Sequence, residues 1–293
     1  MEEVALVYKH PQFCIELRCG TCNGFLNEQT RCCNACGYMY REEDGRPVFI
    51  DPADMSAALA DQNSDSENSF KNFFKRWPRL YRFFVYLVAP VLFSGLSAKR
   101  FLDELPAVPE RVLNIGSGPT FLHPNALNVD IFPFPNVHIL ARAERLPFAD
   151  ETFDVVCSEQ MLEHVRQPAN VARELIRVTK KGGLIYTATP YMLPLHPSPK
   201  DYSRWSIDGL HDLFDGCRPV KSGVLNGPVS GMLIVMAGGL AMIFSFGWTP
   251  LRKINNYLFM LLLSPFKLLD YLYAKLPGAE DVAGGLWTIV QKP

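Results

Sequence analysis

The chain of 293 residues lacks an excess of either charge: 29 Lys and Arg stand against 30 Asp and Glu, a formal net charge of −1. A balanced chain has no overall field to draw in a polyanion, which argues against nucleic acid as a partner. Cysteine is nearly absent outside one stretch. Of eight in all, only Cys157 and Cys217 lie beyond residues 14–36. A leader pattern is missing too, because MEEVALVYKHPQF carries early acids and only a short apolar run. Clustered thiols without export features favour metal binding in a reducing cytosol over disulfides. Charge is absent from residues 83–98, 222–251 and 254–266. The hydrophobic content of 48% lies at the top of the ordinary soluble range, and the excess collects in those segments.

Between the uncharged segments lies an ordered series of short motifs. Val112-Leu113-Asn114-Ile115 is an apolar run stopped by Gly116-Ser117-Gly118, the pattern of a buried parallel strand entering a tight turn. Glycine there lets a ligand approach the backbone. Asn128-Val129-Asp130 is a second short strand ending in an acid, whose carboxylate can accept from both hydroxyls of a ribose. Phe153–Cys157 is a third strand. After a polar break, a helix is expected from Met161, continuing through Val171, Leu175, Ile176 and Val178 at helical spacing and closed by Gly182-Gly183. Leu184–Ala188 is the next strand. The series predicts an α/β, doubly wound Rossmann-like sheet with a nucleoside site at its carboxyl edge.

Residues 111–190 resemble a class I S-adenosylmethionine-dependent methyltransferase of the small-molecule, type 11-like kind, through LPFADETFDVV, LEHV, RELIRVTKKGG and the closing TP. The third glycine of a nicotinamide-type phosphate loop is missing, which argues against a dehydrogenase. The resemblance implies S-adenosylmethionine as cofactor, contacted by Asn114, Gly116, Ser117, Gly118, Asp130, Glu144, Leu146 and Ser158. The chain departs from that pattern in three places. Few residues separate Gly116 from Asp130, so the first helix is expected to shrink to a turn. Asn114 stands where an acid often opens the motif. Arg142-Ala143-Glu144 replaces the usual Asp-Ala-Glu, leaving Glu144 or a backbone group to meet the adenine amine.

Upstream, Cys19-x2-Cys22 and Cys33-x2-Cys36 can aim four thiolates at one tetrahedral zinc. Cys32 could replace Cys33, but only Cys33 gives the two-residue spacing. Residues 17–50 resemble a Trm112-like zinc ribbon, which implies a structural or docking module. Five bases against seven acids in residues 1–50 argue against a ribbon that grips RNA. The expected organisation is a ribbon over 1–50, an acidic flexible linker over 51–69, a basic and aromatic apolar helical segment over 70–107, and the methyltransferase domain over 108–293 with an apolar helical hairpin inserted at 224–275, before the last strand.

The loop after the Leu184–Ala188 strand holds His196, Asp201, Tyr202, Arg204 and Trp205 at the edge where such sheets bind ligands. His164, His196 and Asp201 are the candidate general bases for a hydroxyl acceptor. Glu159 and Glu163 are candidates to hold substrate hydroxyls. Methyltransferases with similar HPxPxDYxR loops are often associated with bacterial surface glycans, so the resemblance implies a small or lipid-linked glycan acceptor. Quinone-like lipids, RNA and a non-catalytic scaffold remain as alternatives. Basic and aromatic residues beside residues 83–98, with the hairpin, fit a protein that is peripheral or monotopic on the cytoplasmic face of the inner membrane.

Overall fold

The structure is a computed structural model that describes residues 6–63, 87–196 and 200–293. The short strands β1 (Val7–Lys9), β2 (Cys14–Glu16), β3 (Leu26–Asn27), β4 (Cys32–Cys33), β5 (Arg41–Glu43) and β6 (Arg46–Val48) build the N-terminal module. The central strands follow: β7 (Val112–Ile115), β8 (Ala126–Asp130), β9 (Ile139–Leu140), β10 (Phe153–Glu159), β11 (Thr179–Pro190), β12 (Arg218–Asn226) and β13 (Gly285–Gln291). One nine-stranded sheet has the order β12-β13-β11-β10-β7-β8-β9-β6-β5. From β11 to β6 the neighbours run parallel, while β13 is antiparallel to both β11 and β12. Every residue of β7 and β8 is buried, as expected where both faces of a parallel sheet are covered.

Helix α1 is Pro52–Asn63. The segment expected as an acidic flexible linker therefore begins as a helix, and residues 64–69 lie outside the described residues. Residues 70–86 do too, including the basic cluster and the start of the uncharged run. Leu87 and Val88 are helical, but residues 89–97 are not, which corrects the expected helix over the rest of that segment. Pro90 cannot extend a helix without losing a hydrogen bond. The strip is stitched to its own fold: Leu92 N donates to Ser230 Oγ at 2.9 Å, and Gly95 N donates to Leu225 O at 3.0 Å. A Cβ on Gly95 would lie 1.6 Å from Val224 O, so Gly95→Ala is expected to dislodge the strip and lower the melting temperature by several degrees.

Helix α2 (Ala98–Asp103) covers one sheet face, with Phe101 stacked on Tyr186 at 5.4 Å between ring centroids. Helix α3 (Pro168–Val178) covers the other through Val171, Ala172, Leu175 and Val178. The helix expected from Met161 is divided. Leu162–His164 form one 3-10 turn, Val165 is extended, and α3 starts afresh with a proline in its first turn, where the missing N–H costs nothing. Residues 116–125 form turns and no helix.

Helix α4 is Ile207–Leu213. Between β12 and β13 come α5 (Pro228–Ile243) and α6 (Thr249–Leu263), packed on each other, then the short α7 (Asp270–Tyr273). Asp270 is fully buried and caps α5, accepting from Val229 N and Ser230 N at 2.9 Å each. A carboxylate is the favoured partner for a helix N-terminus. Asp270→Ala is expected to cost about 1–3 kcal/mol, measurable by chemical denaturation. Among the described residues, no helix is long and apolar enough to cross a membrane.

The N-terminal module shares the main core. Leu17, Leu26, Cys33 and Phe49 pack in one cluster with Leu113, Leu127 and Ile139 of the central strands. Its strand β6 joins the sheet where Val48 pairs with Leu140, with β5 at the outer edge.

Candidate functional site

The strand order reverses between β7 and β10, and a crevice at such a point is where open α/β sheets bind ligands. A cavity of about 650 Å³ opens there. Gly116 and Gly118 after β7, Asp130 at the end of β8, Glu144 after β9 and His164 after β10 all line it. Gly116 has φ +65°, and an added Cβ would lie 2.3 Å from Met161 Cγ. Gly118 has φ +53° with open space where a Cβ would point. Gly116→Ala is therefore expected to cost about 1–3 kcal/mol from the backbone alone, before the clash with Met161, and denaturant unfolding would measure it.

Asp130 is buried and holds the turn in place. Its Oδ2 accepts from Gly118 N at 2.8 Å and its Oδ1 from Phe132 N at 2.9 Å. Burial pushes its pKa up, against the pull of those amides. Each carboxylate oxygen has about two acceptor sites, so acceptor capacity remains for a ligand hydroxyl.

The other residues implied by the resemblance lie outside the cavity wall. Asn114 is buried and donates to Asn128 Oδ1 across β7 and β8 at 3.0 Å. Ser117 turns back to Gly118 O at 3.4 Å. Leu146 belongs to the core, its amide donating to Glu174 Oε2 at 2.8 Å. Ser158 is completely buried in β10. Glu159 faces α2 instead of a substrate, accepting from Ala98 N at 2.6 Å and Tyr186 Oη at 3.1 Å.

The loop after β11 brings further groups to the site. Lys200 and Tyr202 line the cavity, and Tyr202 N donates to Glu163 O at 2.7 Å. Asp201 clamps the loop: it receives Arg204 Nη2 at 2.6 Å and His196 N at 3.0 Å. Burial works against its charge, but the Arg204 hydrogen bonds outweigh it and bring the pKa down to about 2. A carboxylate so held is a poor proton acceptor near neutral pH, and Asp201 does not line the cavity. His196 stands next to His164, with ring centroids 5.3 Å apart, and is also outside the cavity wall.

Sequence reasoning missed Arg142 as part of the wall. It reaches Asp54 of α1 at 3.2 Å and Glu144 at 3.4 Å. The only signal was its departure from the usual acid at that point.

The family model described as a methyltransferase domain matches residues 102–187, the stretch that carries the glycine turn, Asp130 and the 3-10 turn. Over residues 102–187 the chain is similar to methyltransferase domains. An uncharacterized methyltransferase of Mycobacterium leprae (strain Br4923) is 34% identical over 92 residues, 31% of this chain and 32% of the relative. One from Schizosaccharomyces pombe is 41% identical over 58 residues, 20% of this chain and 21% of the relative. The chain thus spans a third or less of the length of these relatives. Among solved structures, a possible histamine N-methyltransferase of Thermotoga maritima has a TM-score of 0.44 at 16% identity, covering 76% of this chain and 98% of that one. A Haloferax volcanii complex of the Trm112 activator with a putative methyltransferase has a TM-score of 0.40 at 17% identity, covering 67% of this chain and 88% of that one.

Outside the matched residues, the sulfurs of Cys19, Cys22, Cys33 and Cys36 all lie within 4.8 Å of one another. Cys19 Sγ is 3.6 Å from Cys36 Sγ, and Cys22 Sγ is 3.5 Å from Cys33 Sγ. A tetrahedral zinc with bonds of about 2.3 Å places its sulfurs about 3.8 Å apart, so the four thiols fit. Cys32 Sγ points instead to Cys33 O at 3.6 Å.

Proposed function

We propose that the chain is an S-adenosylmethionine-dependent methyltransferase with a structural zinc, acting on a small or lipid-linked acceptor at the cytoplasmic face of a membrane. The observation that carries the reading is the cleft at the strand reversal, where two left-handed glycines face a buried acid. The cofactor supplies an activated methyl group on a sulfonium. The protein's own residues bind, orient and exclude water. Gly116 and Gly118 leave the backbone bare for the cofactor, and Asp130 receives its ribose hydroxyls. Glu144 lies on the same wall, in reach of the base. His164, Lys200 and Tyr202 face the acceptor, and the loop clamp Asp201–Arg204 fixes their spacing.

The exposed surface supports the acceptor class. Phe246 and Trp248 in the connection between α5 and α6, and Ile254 and Leu262 on α6, are exposed, with Arg252 and Lys253 beside them. An apolar face with aromatic residues and nearby bases suits the interface of an anionic bilayer. An enzyme held there meets amphiphilic acceptors, and a lipid-linked sugar of a surface glycan fits both that position and the resemblance of the loop after β11.

Calorimetry with S-adenosylmethionine tests the reading. The native protein is expected to bind one equivalent. Asp130→Ala removes charge-assisted hydrogen bonds worth about 1.5–3 kcal/mol each, so affinity should fall roughly tenfold to a hundredfold. Native protein that binds no cofactor would point to a scaffold, and unchanged affinity in the variant would remove Asp130 from the ribose.

A further inference from the structure

Glu163 is completely buried, and neither of its carboxylate oxygens has a hydrogen-bond partner. Two imidazoles converge on one of those oxygens. His164 Nε2 is 3.7 Å from Glu163 Oε1, and His196 Nε2 is 3.8 Å from the same atom. Both separations are too long for hydrogen bonds. The far side of each ring is occupied. His164 Nδ1 lies 2.5 Å from Lys200 O. His196 Nδ1 lies 3.3 Å from Pro194 O and 3.3 Å from Asp201 Oδ2. A carbonyl or carboxylate at Nδ1 holds the proton there and leaves the Nε2 lone pair facing Glu163. With the proton of each ring on Nδ1, two imidazole lone pairs face one fully buried carboxylate. Burying an unpaired carboxylate costs several kcal/mol, so this arrangement calls for a cation between the three.

We propose that Glu163, His164 and His196 bind a divalent transition-metal ion beside the cofactor cavity, behind the part of its wall that His164 forms, distinct from the four-cysteine site. The three ligand atoms lie within 4.8 Å of one another. An ion with bonds of about 2.0–2.2 Å holds neighbouring ligands about 3.0–3.5 Å apart, so the two Glu163–histidine pairs, at 3.7 and 3.8 Å, need a shift of only a few tenths of an ångström. Two imidazoles and one carboxylate favour manganese, iron, cobalt or zinc over calcium or magnesium. Each ring is oriented from its far side, as metal-binding histidines are: by Lys200 O for His164 and by Asp201 for His196. The clamp of Asp201 by Arg204 then has a purpose, since it fixes the carboxylate that orients His196.

His164 also lines the cavity, so open positions on the ion are available to an oxygen of the acceptor. The role of the ion is to hold that oxygen beside the methyl donor. This role rests on the methyltransferase reading above, whereas binding of the ion does not.

The test uses the full-length protein with its cysteine site loaded, titrated with Mn(II) alone and followed by the electron paramagnetic resonance of the free ion. Thiolate sites prefer softer ions, so Mn(II) leaves the four cysteines untouched. One Mn(II) per chain is expected. Affinity should fall at least tenfold in Glu163→Gln and in His196→Gln. His196 sits on a loop with its side chain 42% exposed, so its variant keeps the test valid if Glu163→Gln fails to fold. Native protein that binds no Mn(II) would overturn the proposal, as would either folded variant binding it like the native chain. Calorimetry of S-adenosylmethionine on the same native sample reports on the cofactor separately. Cofactor binding without Mn(II) sinks only the metal site, and Mn(II) binding without cofactor sinks only the methyltransferase reading.

Discussion

Cys33→Ala is expected to release zinc and to melt the cofactor cleft together with the N-terminal module. The reason is the shared core. Cys33 is 2% exposed and packs in the same cluster as Leu17 and Phe49, which reach Leu113 and Leu127 beneath the cleft. The module is also hydrogen-bonded to the sheet: Phe49 N donates to Leu140 O at 2.7 Å, and Arg18 N to Pro147 O at 3.0 Å. Structural zinc binding contributes about 10–16 kcal/mol in small zinc domains, which compares with the whole stability of a typical domain, about 5–15 kcal/mol. Thermal melting, zinc content and cofactor affinity should therefore fall together, and a strong chelator should reproduce the effect in the native chain. Cys32→Ala is the control, because its sulfur lies outside the cluster, and it should retain zinc and melt near the native temperature. A zinc-free Cys33→Ala protein with an unchanged melt would show that the module is an independent appendage.

The second large effect concerns the apolar hairpin. Phe246 is 89% exposed and Trp248 is 62% exposed, both in the turn between α5 and α6. Burial of a large apolar side chain contributes about 1.5–3 kcal/mol. Replacing both with aspartate should weaken binding to vesicles by about a hundredfold or more. Arg252 and Lys253 each add about 1 kcal/mol at an anionic surface, so the native protein should sediment with phosphatidylserine-containing vesicles better than with neutral ones, and high salt should narrow the difference. The zinc site and cofactor affinity should be unaffected by the double substitution. Native protein that stays in the supernatant at low salt, and that sedimentation velocity shows to be a dimer dispersed by the same substitutions, would assign this face to a second copy of the chain.

The parts of the fold that were legible are those written in short spacings. Val112–Ile115 with Gly116 and Gly118 reads as strand and turn because branched apolar residues and glycine constrain the backbone locally. Asp130 reads as a strand-end acid for the same reason. The divided helix after β10 was not legible. The apolar positions from Met161 to Val178 keep helical spacing, while the break rests on Pro168 and on Tyr202 anchoring the 3-10 turn from a distant loop. Residues 89–97 misled in another way. Their composition suits a helix, yet a Cβ on Gly95 would meet Val224 O, and the strip is held by β12, α5 and the turn after α6, where Ser264 Oγ and Lys267 Nζ donate to Ala89 O.

The sequence by itself determined the α/β class, the glycine-and-acid edge, the four-cysteine spacing and the uncharged segments, since each depends on residues close along the chain. Tertiary structure alone decided what those pieces do to one another. It merged the N-terminal module into the main core through Leu17 and Phe49, turned Glu159 away to α2, and tied Asp201 to Arg204. It also set Glu163, His164 and His196 face to face. Such pairings depend on which loops pack at one sheet edge and on how much water that packing removes. Burial is what leaves the carboxylate of Glu163 without a partner, and no local pattern encodes burial of a single charged side chain.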